Sequence, residues 1–389
     1  MRPAVISDME ECVKTVRAGV CGFLTGALLC MSMTARGAVV AGLYEASVPV
    51  PNQSAAARRI ALQQALAAVL VKITGERTAG GVPALANLIQ DPSQFLQQYR
   101  YEQSPASGNT APATYYDLTR TGAPAIAPTG LLLSAKFDAE VVDHAVRAAH
   151  EPLWGQERPA TLVWLAFQDG SKQSIVSSGN NSAIVQAMNS AASQRGVTLI
   201  FPAMDAVDQQ AIGFPDISND IASHIQQASQ RYKPDAILVG SIYMTTPGQY
   251  AARWQLSAGA QSQAWTTPPG DLTSVAADGV QITADHYAQW FAVAANALGM
   301  NGITVSVSGI TSITAYAKVL AYLSGLTPVK STQVTRVDNQ TVYFSLDTRG
   351  DVSNLQHAVL LGGLLKPAAP AAASTVSPAT TSLQFQYAP

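Results

Sequence analysis

Few side chains in this sequence are suited to chemistry, and they are scattered. Five histidines stand at positions 144, 150, 224, 286 and 357. A metal site needs several such ligands converging on one point. His144 and His150 are six residues apart on one expected helix, so they lie on different faces. His286 sits in DHYAQW beside Asp285 and reads as a surface or capping pair. Ser241 lies inside the apolar run LVGSIYM, and a nucleophile there would need a base that the sequence does not supply nearby. Asp138, Asp169, Asp235 and Asp271 fall at element boundaries, where caps and turns use aspartate. The chain lacks the phosphate loop, the G-x-G-x-x-G turn, H-E-x-x-H, the EF-hand loop and the G-x-S-x-G elbow. We therefore assign no catalytic residue, no metal ligand and no cofactor. Trp164 belongs to a strand of buried type and is expected in the core. Trp154 at a domain junction, with Trp254 and Trp265 flanking a hairpin-like segment, are the candidates for a binding surface; Trp290 has no assignment.

The elements that must position these residues begin with a leader. Ala18 to Met33 is a run of 16 residues without a charge, preceded by Lys14 and Arg17. A membrane-spanning helix needs about 20 apolar residues, whereas a secretory signal core is shorter. Cleavage is expected near Gly37 or Ala41, so residues 1–41 are read as a removable signal peptide and the product as periplasmic. All three cysteines, Cys12, Cys21 and Cys30, lie in this leader, and the mature chain would carry neither disulfide nor thiol. Cys21 follows Val20 and Cys30 follows Leu29, so neither has the small preceding residue that lipid attachment requires.

Residues 1–37 hold four of the 23 basic and three of the 25 acidic residues, which leaves a net charge of −3 after cleavage. That balance gives no electrostatic drive toward nucleic acid or anionic lipid. No later apolar run approaches the length of a membrane span.

The mature chain reads as α/β, of the α+β kind: three small layered domains in series. An N-terminal domain covers 42–155. It has a strand over Leu43–Val50 and a helix from Asn52 or Ser54 to Thr74, with Leu62, Leu66, Val69 and Ile73 on one face. Short helices follow over Pro83–Gln90 and Pro92–Gln98. A Pro/Ala/Thr/Gly-rich insertion fills 103–129, before a strand over Leu131–Phe137 and a helix capped by Asp138. The double arginine Arg58-Arg59 reads as a solvated helix edge.

A central domain covers 156–300. It has apolar strands at Thr161–Phe167 and Ala236–Met244, a short strand at Val197–Phe201, and an alternating strand at Tyr250–Ala258. Its helices are expected near Asn181–Gln194 and Ser218–Tyr232. A last helical region, Asp271–Leu298, is expected to break near Gly279. The C-terminal domain, 301–365, has the order βαββα, and residues 366–389 form a linker with a possible terminal strand at Leu383–Tyr387. With that strand the order matches a split βαβ sandwich.

Several segments together carry a resemblance. SVPVPNQSAAARRIALQQALAAVLVKITG, SQFLQQYRYEQ, LLLSAKFDAEVVDHAVRAAHEPLWGQERPATLVWLA, PDAILVGSI and ARWQL are similar to uncharacterised proteobacterial exported proteins of domain-of-unknown-function family 2066. The likeness covers nearly the whole mature chain, and LWGQERPATLVWLA is its most specific part. Residues 43–137 also resemble the N-terminal domain of the flagellar-assembly protein FlgT. The LVGSI strand and its partner resemble TolB N-terminal-like periplasmic domains. The insertion at 103–129 and the extra C-terminal domain depart from both, and fold alone does not assign function.

The expectation is a non-enzymatic periplasmic protein of envelope assembly or scaffolding, whose partner is an unknown envelope protein or cell-wall component. A glycan- or peptide-binding module is the alternative, and a hydrolase with an unrecognised site the second.

Overall fold

Four apolar cores, two of them in the central domain, divide the described residues into three domains. The computed structural model describes residues 42–103, 130–180, 182–294, 299–368 and 382–388. The expected leader at 1–41, nearly all of the expected insertion at 103–129, and most of the expected linker lie outside the described residues.

The first core forms between one long helix and a small sheet. The Ser54 hydroxyl accepts the Ala57 N–H, and Gly75, at φ 73°, ends helix α1 (Ala55–Thr74) in the left-handed conformation that glycine adopts without penalty. Leu62, Leu66, Val69 and Ile73 form its buried stripe. That stripe covers one face of an antiparallel sheet of order β1-β3-β2, made of β1 (Glu45–Pro49), β2 (Leu96–Gln103) and β3 (Leu131–Phe137). Helix α2 (Pro83–Gln90) precedes β2, and α3 (Ala139–Ala148) follows β3 with Asp138 as its cap. The helix expected over Pro92–Gln98 is only a single 3₁₀ turn, Pro92–Phe95, because pairing with β3 already claims Leu96.

The central domain has a core on each face of its sheet. Strand β4 (Ala160–Asp169) runs parallel to β7 (Ala236–Thr246) and, over its first residues, to β6 (Thr198–Ile200). Val163 and Leu165 enter one core, whereas Leu162, Trp164 and Ala166 enter the other. That double burial explains the unbroken apolar run TLVWLAF. Hairpin strand β5 (Lys172–Ile175) pairs with the end of β4, and β8 (Gln249–Ala258) and β9 (Gln261–Gly270) continue the sheet in the order β5-β4-β7-β8-β9. Helices α4 (Ala183–Arg195) and α8 (Leu272–Phe291) cover one face; α6 (Phe214–Ser218) and α7 (Ala222–Ser229) cover the other, with α5 (Ala206–Ala211) beside α7.

Two expectations fail here. The helix expected over Ser218–Tyr232 breaks at Asp220, which adopts φ 52°; α7 starts only at Ala222 and ends in a 3₁₀ turn, Gln230–Tyr232. Conversely, α8 runs unbroken through Gly279. A Cβ built there would lie 2.4 Å from Cζ2 of Trp254, so the glycine makes room for the indole and does not break the helix.

The third domain follows the expected order closely. Strands β10 (Ile303–Ser308), β11 (Val329–Asp338), β12 (Thr341–Thr348), β13 (Leu365–Pro367) and β14 (Ser382–Tyr387) form a sheet of order β11-β12-β10-β14-β13, with α9 (Ile313–Gly325) and α10 (Val352–Leu361) packed on it. β12 lies antiparallel between β10 and β11, which is the split βαβ arrangement. The terminal strand pairs parallel to β10 and antiparallel to β13, so Lys366 and Pro367 are strand where linker was expected.

Candidate functional site

Trp254 is held between two glycines. It stands opposite Gly240 of β7, where an added Cβ would lie 2.4 Å from its Cζ3, and Gly279 of α8 faces its other side. Its Nε1 donates to Thr267 Oγ1 at 3.1 Å, and only 2 % of its surface is exposed. Trp154 is 1 % exposed. The Trp254 ring is enclosed by the elements around it, and the Trp154 ring reaches only a narrow crevice between domains. Trp265 differs. It is half-buried on the edge strand β9 and stacks on Trp254 at 6.5 Å between ring centres.

From Trp265 a row of rings continues along α8. The His286 ring lies 5.2 Å from Trp265 and 5.8 Å from Trp290; Trp290 meets Phe291 at 6.2 Å, and Phe291 meets His357 of α10 at 5.6 Å. Trp265, His286, Trp290 and Phe291 are all half-buried. The buried ring nitrogens Trp265 Nε1, His286 Nδ1 and His357 Nδ1 have no hydrogen-bond partner. Sequence reasoning missed His286 and Trp290 as members of this row, although their i, i+4 spacing was visible. The expected Asp285–His286 pair does not form. Asp285 turns to Arg195 and Arg77, while His286 turns to the rings.

The row ends at a crevice between the domains, lined by Trp154, Glu157, Phe291, Thr327, Asn354 and His357, among others. Its cavity volume of about 20 Å³ is room for about one water, against the several hundred Å³ of a small-molecule site. Thr327 Oγ1 donates to Glu157 Oε2 at 3.1 Å. Burial raises the Glu157 carboxyl above the usual range, opposed by hydrogen bonds from backbone and from Thr327.

Beside the crevice lies an arginine cluster. Arg158 is 1 % exposed, and its guanidinium stacks 3.4 Å from the Trp154 ring centre. It donates five hydrogen bonds, all to carbonyls: Gly155, Trp154, Lys72, Arg195 and Gly196. Lys72 lies in the last turn of α1, and Arg195 and Gly196 end α4, so the charge sits at the negative ends of two helices. Burial presses its pKa downward, but an arginine held by five carbonyls remains charged. Arg195 donates to Gly75 O at 2.7 Å and pairs with Asp285 at 2.8 Å, which also pairs with Arg77.

The other candidate chemistry does not assemble. His224 Nδ1 contacts Asp216 Oδ1 at 2.8 Å, but the histidine is exposed, and among the described residues no serine or cysteine hydrogen bonds to it. Ser241 is buried within β7. Asp138 and Asp271 cap helices, and Asp235 accepts the Ala160 N–H. The crevice beyond the carboxyl ends of parallel strands, where ligands often bind, is closed: β4 turns directly into β5, and β7 into β8. No group of three His, Cys, Asp or Glu among the described residues is placed to hold a metal ion. No helix among them is long and apolar enough to cross a membrane.

Residues 38–155 match a family described as a domain of unknown function (DUF8605), and no curated protein matches the chain. The matched stretch spans the first domain and ends at Gly155, within the segment that carries Trp154 and Arg158.

Proposed function

We propose that this chain is a non-enzymatic, exported protein of the bacterial periplasm that works by protein–protein contact, in envelope assembly or as a scaffold. The observation that carries the reading is the arginine cluster. Arg158 and Arg195 tie the first two domains into one body through buried hydrogen bonds, which suits a protein that presents surfaces in a fixed relation. The uncharged leader core, the confinement of cysteine to residues 12, 21 and 30, and the resemblance to exported proteins of family 2066 support the compartment. Crosslinking in living cells followed by purification from the periplasm should recover envelope proteins. Recovery of the chain alone, or of an unprocessed chain from the cytoplasm, would overturn the reading.

A second reading, a glycan- or peptide-binding module, is favoured by one feature: the half-buried row Trp265–His286–Trp290 at the open edge of β9. Aromatic rows of this kind stack against sugars and apolar side chains. Tryptophan fluorescence titrated with peptidoglycan fragments should then change in the wild type and not in Trp265→Ala. Equal response in both removes this reading.

A further inference from the structure

The C-terminal domain meets the rest of the molecule through a sparse and partly polar seat. Among the described residues, the side-chain hydrogen bonds across it are Thr327 Oγ1 to Glu157 Oε2 and, where the chain enters the domain, Thr348 Oγ1 to Met300 O. Phe291 against His357, and Val293 beneath Gly350, supply apolar contact. Trp154 Nε1 and His357 Nδ1 are buried in the same crevice without partners. Such unpartnered groups cost free energy that opening to water would recover. Near the seat, Arg349 lies within electrostatic range of Arg147 of α3, a like-charge pair that disfavours close approach. We infer that the C-terminal domain is a reversibly docking module, and that protonation of Glu157 sets how firmly it is seated.

The chemistry follows from the position of the carboxylate. Glu157 lies on the segment that joins the first two domains, and it loses water when Thr327 closes over it. An ionised carboxylate resists that loss; a protonated one does not. The charged and titratable groups near it are few. Arg158 adjoins it on its own segment and is occupied by five carbonyls. Tyr322 of α9 is pushed upward by burial and by Glu157, so it stays neutral. From α10 come His357 and, at its start, Asp351, which lies close enough to His357 to feel its charge. The end of α8 offers only Phe291 and Val293 to the crevice. Against burial, the ionised form is stabilised by backbone N–H groups of Glu157 and Thr327, by the Thr327 hydroxyl and by the nearby Arg158 charge.

Burial in the docked state raises the Glu157 carboxyl, so the docked state keeps its proton to higher pH than the released state. The ratio of docked to released forms therefore falls as pH rises through this window, by up to about tenfold per pH unit for one proton. This inference stands apart from the proposed function, since it needs no partner.

The test uses the whole chain with Cys12, Cys21 and Cys30 changed to serine, which leaves no competing thiol. Ala260→Cys in the β8–β9 turn and Gln340→Cys in the β11–β12 turn, both exposed, carry a donor and an acceptor dye. The released fraction should grow as pH rises above the usual carboxylate range. Glu157→Gln, which keeps the shape, should abolish that dependence, and His357→Gln should keep it. A released fraction independent of pH in the parent, a dependence that survives Glu157→Gln, or one lost in His357→Gln would each overturn the inference.

Discussion

The two junctions of this molecule use opposite chemistry at nearly the same point of the chain. Between the first and second domains, Arg158 and Arg195 are buried; Arg158 donates to five main-chain carbonyls, and Arg195 to Gly75 O, Gln281 and the Asp285 carboxylate. Trp154 N–H adds a 2.6 Å bond to Ile73 O, and Leu153 and Val293 exchange a pair of backbone bonds. One residue earlier than Arg158, Glu157 faces the third domain and meets a single threonine. Carbonyl acceptors cannot titrate or move away, whereas a carboxylate in a crevice can do both. Adjacent residues thus make one junction permanent and the other adjustable.

The strongest way to break this contrast is Arg158→Met. It fills the same space and leaves the carbonyls of Lys72, Arg195 and Gly196 without their donor. Removing one side of such a buried network costs on the order of 3–5 kcal/mol. Urea unfolding followed by far-ultraviolet circular dichroism should show that loss. A change below about 1 kcal/mol would mean that the first junction is no firmer than the second.

The next effect tests the core that Trp254 anchors. Gly240→Ala and Gly279→Ala each place a methyl 2.4 Å from the indole, one on Cζ3 and one on Cζ2. Overpacking of this kind costs about 1–3 kcal/mol. Both variants should lower the unfolding midpoint of the central domain and leave the third domain's unchanged. If Gly279→Ala stabilises the protein through helix propensity alone, Trp254 is not confined as described.

These residues also show what was legible in the sequence. The third domain was, because Ile303, Val305 and Val307 are fully buried and alternate with half-buried neighbours, and each element carries its own periodicity. The α1 helix was, because Ser54 and Gly75 mark its ends. Strand β9 was not: QSQAWTTPPG is polar and holds Pro268 and Pro269, which only an edge strand tolerates, and its place at the edge depends on β8. Gly279 looked like a helix breaker because its reason is a tryptophan twenty-five positions away. Arg158 stands in the segment LWGQERP, yet its role depends on carbonyls contributed by α1 and α4. Trp154 and Trp254 were read as surface because aromatic content does not reveal which ring an adjacent helix will cover.

A pH measurement sharpens the first junction further. Burial, with Arg158 close by, pushes Lys72 down to about 8, while its Nζ donates to Glu45 O at 2.8 Å. Above that value the folded chain has released a proton that the unfolded chain keeps until about 10.5. Stability should therefore rise as pH increases from about 8, until Tyr44 and Tyr287, both held above their usual 10.0, begin to oppose it. Thermal midpoints across this range should climb in the parent and stay flat in Lys72→Met.

The smallest effect belongs to the second junction and comes from Thr327→Val. The hydroxyl packs so closely on Gly155 that a Cβ there would lie 1.7 Å from it, so valine keeps the contact shape and removes only the hydrogen bond. Global stability should change by less than about 1 kcal/mol, because valine keeps the packing and one hydrogen bond is lost while backbone N–H groups still meet the carboxylate. Docking should respond differently. Without the hydroxyl, the ionised carboxylate loses its stabilising side-chain partner in the seat, so release of the third domain should begin at lower pH than in the parent. Dye-to-dye distances read that shift even where unfolding curves do not. If Thr327→Val instead destabilises the protein as much as Arg158→Met, the two junctions are one structural unit and the contrast between them fails.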